Sequence, residues 1–325
     1  MRTFSIVVPV FYNESNLPTT IPQLLALADR LPGYRLELVF VDDGSGDCSL
    51  EILMDFRTRH PDTIKVVKLT RNFGSMAAIL AGISVAEGDC VGMIAADLQD
   101  PPELFVDMVA HWEKGIKAIL AVRQGRDEPF LQRLLSNGYY TLMRAFAISD
   151  YPAGGFDFFV VDRQIAAELM RIGEKNTNIM SLIFWLGFQP LLIPYTRQRR
   201  QKGRSRWTLA KKLKLFVDTF VAFSFVPIRL FSVAGFLVAV ASFLYGAYVL
   251  LYWWFFGIAV KGFAPTMVAI TFASGLQMAM LGVLGEYLWR VLDEVRRRPQ
   301  FVIDEIFAPP ELPRPAARGH ESEAQ

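Results

Sequence analysis

The sequence predicts an α/β domain, a mainly parallel sheet with helices on both faces, followed by a two-helix transmembrane hairpin. Short apolar runs alternate with helical patterns through the first part of the chain. The runs are apolar on consecutive residues, as strands covered on both faces are. Farther on, Phe231–Phe256 and Ala264–Gly285 are 26 and 22 residues without a single charge. At about 1.5 Å per residue, each can cross roughly 30 Å of hydrocarbon.

The chain opens on a strand, Phe4–Val10, with neither the basic start nor the long apolar core of a signal peptide. Further strands are expected at Leu36–Val41, Ile64–Leu69, Cys90–Ala96 and Lys117–Val122. Helices are expected between them at Leu17–Leu31, Leu50–Arg59, Ser75–Ala86 and Glu103–Trp112. Ligands of such sheets sit at the carboxyl ends of the strands. Thr208–Val226 has lysines at its start and Phe residues after them, the pattern of a helix lying in a membrane interface. Pro227 then marks the break into the first span. The spans, drawn at 231–256 and 264–289, carry Trp253, Trp254 and Trp289 near their ends, where aromatic belts form. The alternative, two buried core helices, conflicts with such length and no polar stripe. Glu286 stands one turn before Arg290, which predicts an interfacial ion pair. Beyond Phe307 the Pro-, Ala- and Glu-rich tail is expected to be disordered.

Charge is distributed in three blocks: net −6 over residues 1–196, +9 over 197–214 and −1 over the remainder. The basic residues flank the predicted hairpin, and the loop between the spans carries only Lys261. The positive-inside rule therefore puts both chain ends in the cytoplasm of a multi-pass plasma (inner) membrane protein. Cys48 and Cys90 stand far apart, which excludes a disulfide scaffold and a cysteine zinc site and fits a reducing compartment. His60, His111 and His320 offer no Ser-His-Asp set, and nothing points to nucleic acid.

Four clusters follow the expected strand ends: Pro9 to Glu14, Val41-Asp42-Asp43-Gly44-Ser45, Ala95 to Glu103, and Gly154 to Phe159. Two adjacent carboxylates ending a buried strand are costly unless something answers their charge. A turn plus a helix cap, by Asp47 or Ser49, is the plainer explanation. In an extended segment Asp97 and Gln99 would point to one side. A carboxylate and an amide oxygen form a hard ligand pair, suited to Mg²⁺ or Mn²⁺ holding a diphosphate. Asp157 lies among aromatics, where it either carries a raised pKa or hydrogen-bonds backbone.

Together the motifs Pro9-x-x-Tyr12-Asn13-Glu14, Val41-Asp42-Asp43-Gly44-Ser45, Arg71-Asn72-Phe73-Gly74, Ala96-Asp97-Leu98-Gln99-Asp100-Pro101-Pro102-Glu103 and Asp157-Phe158 resemble the family-two glycosyltransferases. The resemblance is closest to the polyprenyl-phosphate branch, similar to dolichol-phosphate mannose synthase and bacterial bactoprenol glucosyltransferase. It spans roughly residues 3–305, including Tyr195…Arg200-x-Lys202-Gly203-x-Ser205. It implies a GT-A-type, Rossmann-like nucleotide-diphospho-sugar transferase fold over residues 1–205, a juxtamembrane segment at 206–230 and a cytoplasmic tail from 290. It further implies that Pro9, Tyr12, Asn13, Glu14, Asp42, Asp43, Gly44, Arg71 and Ala96 surround the sugar nucleotide. Asp97 and Gln99 would hold the metal. The chain departs from the family at Ala95, where the first Asp of the metal motif is expected, and at Phe159, where an Arg is common. Phosphate binding would then pass to Arg200 or Lys202, with Ser205 beside them.

The chemistry this implies is transfer of a hexose, glucose from UDP-glucose as first choice, to undecaprenyl or dolichyl phosphate, with inversion. The cationic strip suits the lipid phosphate. That phosphate is already largely a dianion at neutral pH, so Asp157 would orient it more than deprotonate it. A processive polysaccharide synthase is one rival, although Gly203 stands where its Gln-x-x-Arg-Trp motif requires Gln. A non-catalytic membrane adaptor is the other. Self-association is left open.

Overall fold

The structure is a computed structural model that describes residues 1–97, 99–123, 141, 144, 152, 156, 158–172, 174, 178–196, 226–256 and 262–308. Eight strands form one mixed sheet: β1 (Arg2–Val10), β2 (Tyr34–Asp42), β3 (Ile64–Leu69), β4 (Cys90–Met93), β5 (Ala118–Arg123), β6 (Phe158–Asp162), β7 (Leu191–Tyr195) and β8 (Ile303–Phe307). Their order is β7-β5-β6-β4-β1-β2-β3-β8. Pairings β1–β2, β1–β4, β2–β3 and β5–β7 are parallel, while β6 runs against β4 and β5, and β8 against β3. The expected parallel sheet is therefore present, with two reversed strands that the apolar pattern does not distinguish.

The helices are α1 (Leu17–Leu25), α2 (Leu27–Arg30), α3 (Ser49–Arg59), α4 (Ser75–Val85), α5 (Leu104–Glu113), α6 (Arg163–Arg171), α7 (Ile179–Trp185), α8 (Val226–Phe256) and α9 (Phe263–Val295). The single helix expected at Leu17–Leu31 is divided at Ala26. Its second part ends at Arg30, and Leu31, which precedes proline, is already non-helical.

Side chains alternate between two apolar layers. Phe4, Ile6, Val8, Leu38, Phe40 and Phe158 join α1, α3 and α5 in one; Val7, Val39, Val41, Leu120 and Phe159 join α4, α6 and α7 in the other. Both faces are thus buried, which is why the strands read as unbroken apolar runs. Gly82 lets α4 lie close on the sheet, since a Cβ there would fall 2.3 Å from Val7 Cγ1.

At the amino-terminal ends of its strands the sheet carries a polar cluster, buried at Ser5, Glu37 and Lys65 and exposed at Glu87. Lys65 Nζ meets Glu37 at 2.8 Å and Glu87 at 2.9 Å, and donates to the Val85 carbonyl. Glu37 also accepts from the Ser5 hydroxyl and from Glu87 N. Charges at 37 and 65 thus interrupt otherwise apolar strands because they answer each other.

Both segments expected as spans are helical, lying within α8 and α9. They run antiparallel: a Cβ at Gly235 would lie 2.6 Å from Met280 Cε, and Tyr287 hydrogen-bonds the backbone of Ile228. Ile228–Tyr245 has a mean hydropathy of 1.9, making α8 the one helix among the described residues long and apolar enough to cross a membrane. None of that window is buried, so α8 is not a core helix. The predicted Glu286–Arg290 pair is present at 3.0 Å. The sequence reading contained no strand after the hairpin, yet β8 returns to the sheet. Lys68 pairs with Asp304 at 2.6 Å, and Arg57 donates to the carbonyls of Phe307 at 3.0 Å and Ala308 at 2.5 Å. The juxtamembrane segment 206–225 and the tail beyond 308 lie outside the described residues.

Candidate active site

The strand order reverses direction between β1 and β4, and the loops after these strands and after β2 and β3 meet at that switch point. Pro9 marks the place. Thr3 and Val7 direct their carbonyls to the β4 side, accepting from Asp89 N at 2.8 Å and Ile94 N at 3.2 Å. Pro9 shares their parity but lies beyond Val7, the last residue that β4 pairs, so its missing donor leaves no ladder bond unmade.

The 11–14 loop is stitched to the 45–49 loop. Tyr12 N donates to Ser45 Oγ at 3.1 Å, Asn13 N to Ser49 Oγ at 2.8 Å and Glu14 N to Asp47 Oδ2 at 3.3 Å. In return Cys48 N donates to Glu14 Oε2 at 3.1 Å. Asn13 Oδ1 accepts from Phe11 N. Tyr12 adopts φ 55°, and the residue is 42% exposed. Cys48 occupies the N-cap position of α3 without a side-chain hydrogen bond, and the expected capping contact comes from Asp47, whose Oδ1 accepts from Ser49 N at 3.2 Å.

Asp42 and Asp43 are each 2% exposed. Their charge is answered by backbone N–H groups. Asp42 accepts from Ser45 N at 3.3 Å, and Asp43 accepts from Phe73 N at 2.7 Å and Gly74 N at 2.9 Å. Burial raises both pKa values above the ordinary carboxylate range against the pull of these bonds. Asp43 thereby ties the loop after β3 to that after β2. Gly44 completes the contact at φ +70°, against the backbone of Arg71 and Asn72. Arg71 is exposed, its guanidinium 4.0 Å above the Phe73 ring.

The loop after β4 differs from the expectation. The strand ends at Met93, and Ala96 and Asp97 form a turn, so the two ligand residues do not alternate along an extended segment. Asp97 Oδ1 instead accepts from Gln99 N at 3.3 Å, which keeps the pair together by a different geometry. Both are partly exposed. Ala96 is 3% exposed and its carbonyl accepts from Thr20 Oγ1 at 2.8 Å, so it offers no side-chain surface to a ligand. Among the described residues no three His, Cys, Asp or Glu side chains gather to hold a metal. A cation shared with a diphosphate needs only one or two protein ligands of hard oxygen type, and the Asp97 carboxylate and Gln99 amide are of that type.

Asp157, Arg200, Lys202 and Ser205 lie outside the described residues. Phe158, next after Asp157, opens β6 opposite Ala121. Phe159 is fully buried against the sheet's second apolar layer. Sequence reasoning missed Asp100 and Tyr195: Tyr195, ending β7, donates a hydrogen bond to buried Asp100. Burial first, then the neighbouring Asp100 charge, raises the Tyr195 pKa.

The family model for Glycosyl transferase family 2 matches residues 5–170, the span that contains these loops. The chain belongs to this family. It is a glycosyltransferase, with a GT-A-type mixed α/β sheet, and the adaptor alternative falls. The family 2 chain is 36% identical over 305 residues to the uncharacterized glycosyltransferase YkcC of Bacillus subtilis, covering 94% of each. It is 32% identical over 300 residues to the SfII prophage-derived bactoprenol glucosyl transferase of Shigella flexneri, covering 92% of this chain and 96% of that one. Among solved structures, glucosyl-3-phosphoglycerate synthase from Mycobacterium tuberculosis superposes with a TM-score of 0.47 at 19% identity, over 68% of this chain and 79% of that one.

Proposed function

We propose that this glycosyltransferase moves a hexose, with glucose from UDP-glucose as first choice, onto a polyprenyl phosphate at the cytoplasmic face of the plasma membrane. One observation carries the acceptor assignment. The apolar window of α8 is wholly unburied, and β8 brings the chain from α9 back into the sheet whose carboxyl ends bear the site. The site is thereby tethered beside the apolar α8, where a lipid acceptor is presented. Similarity to bactoprenol glucosyl transferases, extending over 92% of the chain, agrees with this.

The stitched loops 11–14, 42–48 and 71–74 form the floor for the nucleotide, with Tyr12 and Arg71 exposed toward it. Asp97 and Gln99 would hold Mg²⁺ or Mn²⁺ on the donor diphosphate. A bound divalent cation supplies charge neutralisation for the departing nucleoside diphosphate. Asp157 orients the acceptor phosphate, whose oxygen displaces the nucleotide at the anomeric carbon in one step, with inversion. Arg200, Lys202 and Ser205 grip that phosphate.

A panel of sugar nucleotides, offered with undecaprenyl phosphate to the detergent-solubilised full chain, tests the assignment by the lipid-linked product. One sugar transferred once per lipid is expected. A polymeric product would instead establish a processive synthase, and absence of product with every donor would overturn the acceptor assignment.

A further inference from the structure

The loop after β4 carries an acid that the chemistry above does not use. Asp100 is fully buried, three residues past Asp97. Its Oδ1 accepts a hydrogen bond from the hydroxyl of Tyr195. Tyr195 is 5% exposed, and its ring lies edge-on to Phe158 at 6.3 Å. The same hydroxyl is hydrogen-bonded by Arg123, its register partner at the end of β5. A carboxylate withdrawn from water is costly unless its charge is answered; here Tyr195 answers it directly and Arg123 through Tyr195. Asp100 is therefore committed inward to the strand ends and does not replace the acid missing at Ala95.

At the other end of the turn the buried Thr20 hydroxyl holds the Ala96 carbonyl. Between these anchors the turn's own bond, Gln99 N to Asp97 Oδ1, is long at 3.3 Å. Thr20 and Tyr195 thus hold the two ends of the turn from outside it.

We propose that Asp100 and Tyr195 are positioning residues: their hydrogen bond fixes the turn bearing Asp97 and Gln99, and so sets its affinity for the divalent cation and the donor diphosphate. This rests on the assignment of Asp97 and Gln99 as cation ligands made above. Partners that orient a metal ligand typically contribute about 10- to 100-fold in metal affinity or activity.

Tyr195→Phe keeps the ring and removes the hydroxyl; Asp100→Asn keeps the shape and removes the charge. Binding of Mn²⁺ with UDP is read from free Mn²⁺ by electron paramagnetic resonance on the full chain, alongside thermal unfolding and steady-state transfer. Tyr195→Phe should weaken Mn²⁺–UDP binding by about 10-fold or more. It should also raise KM for the sugar nucleotide while leaving KM for polyprenyl phosphate unchanged. Because one bond is lost once, the double variant should bind no more weakly than the weaker single variant. Lowered thermal stability with unchanged Mn²⁺–UDP affinity would overturn the proposal, as would a shift confined to the lipid acceptor. Should Tyr195→Phe not fold, Asp100→Asn is judged by the same two criteria. A wild-type chain that fails to bind Mn²⁺–UDP overturns the cation assignment and this inference together. Binding by wild type with unshifted variants overturns this inference alone.

Discussion

Gly44 stands at φ +70°, and a Cβ there would lie 2.8 Å from the Arg71 carbonyl carbon. Both the conformation and the space select glycine, because any side chain would push the 71–74 loop off Asp43. Gly44→Ala should therefore cost about 1–3 kcal/mol of stability in chemical denaturation. It should also raise KM for the sugar nucleotide, since the displaced loop carries Arg71. Asp97 responds differently. It is partly exposed. Asp97→Ala should abolish transfer, by about 10²-fold or more, with circular dichroism and membrane insertion unchanged. Near-wild-type turnover in added Mn²⁺ would refute the cation assignment. Ala95→Asp should not be needed for activity.

At the scale of elements, what the sequence disclosed follows burial. Strand β3 was readable end to end because both its faces are covered. The Asp-Asp-Gly-Ser turn was readable because two carboxylates ending an apolar strand demand partners. Those partners, Phe73 N and Gly74 N, were not readable, being backbone groups thirty residues away. Strand β8 escaped because an exposed edge strand of five residues shows little apolar alternation. Asp100 escaped because an acid in a turn reads as solvated until Tyr195 is brought onto it. The Lys65 cluster is legible only afterwards, as two charges inside apolar runs, and it yields a test. Lys65→Met leaves Glu37 buried without its cation, and should cost about 3–5 kcal/mol in denaturation with kinetics unchanged, since the cluster lies at the edge opposite the site. Its pH dependence has two limbs. Burial opposes the Lys65 charge, but Glu37 and Glu87 outweigh it and raise its pKa above 10.5. That contribution is full below the unfolded value and is lost as pH rises through the folded one. Lys65 lowers the Glu87 pKa below 4.5, so this contribution is full above the unfolded value and is lost as pH falls through the folded one. Both limbs should flatten in Lys65→Met.

Across the whole molecule, the sheet constrains topology more tightly than the hydropathy of α9 does. Strands β1 to β7 precede α8, and β8 follows α9, yet all eight belong to one sheet. If α8 crosses a membrane, the chain must cross back before β8, because a sheet cannot be shared across a bilayer whose core leaves no backbone group unpaired. The antiparallel contact of α8 with α9 supplies that return. The short connection around Gly262 then lies on the side opposite the active site. Cys48, exposed beside the 11–14 loop, is a natural reporter for the site's own side, while Cys90 is buried and silent. In intact cells an impermeant maleimide should leave Cys48 unmodified and should modify it once the membrane is permeabilised, slowly, because the Glu51 and Glu14 charges raise its pKa. In a Cys48→Ser background, Gly262→Cys should react from outside and Ser45→Cys should not. Labelling of Cys48 from outside would reverse the orientation, and equal protection of both introduced cysteines would contradict a crossing pair and place α8 and α9 along the membrane surface instead.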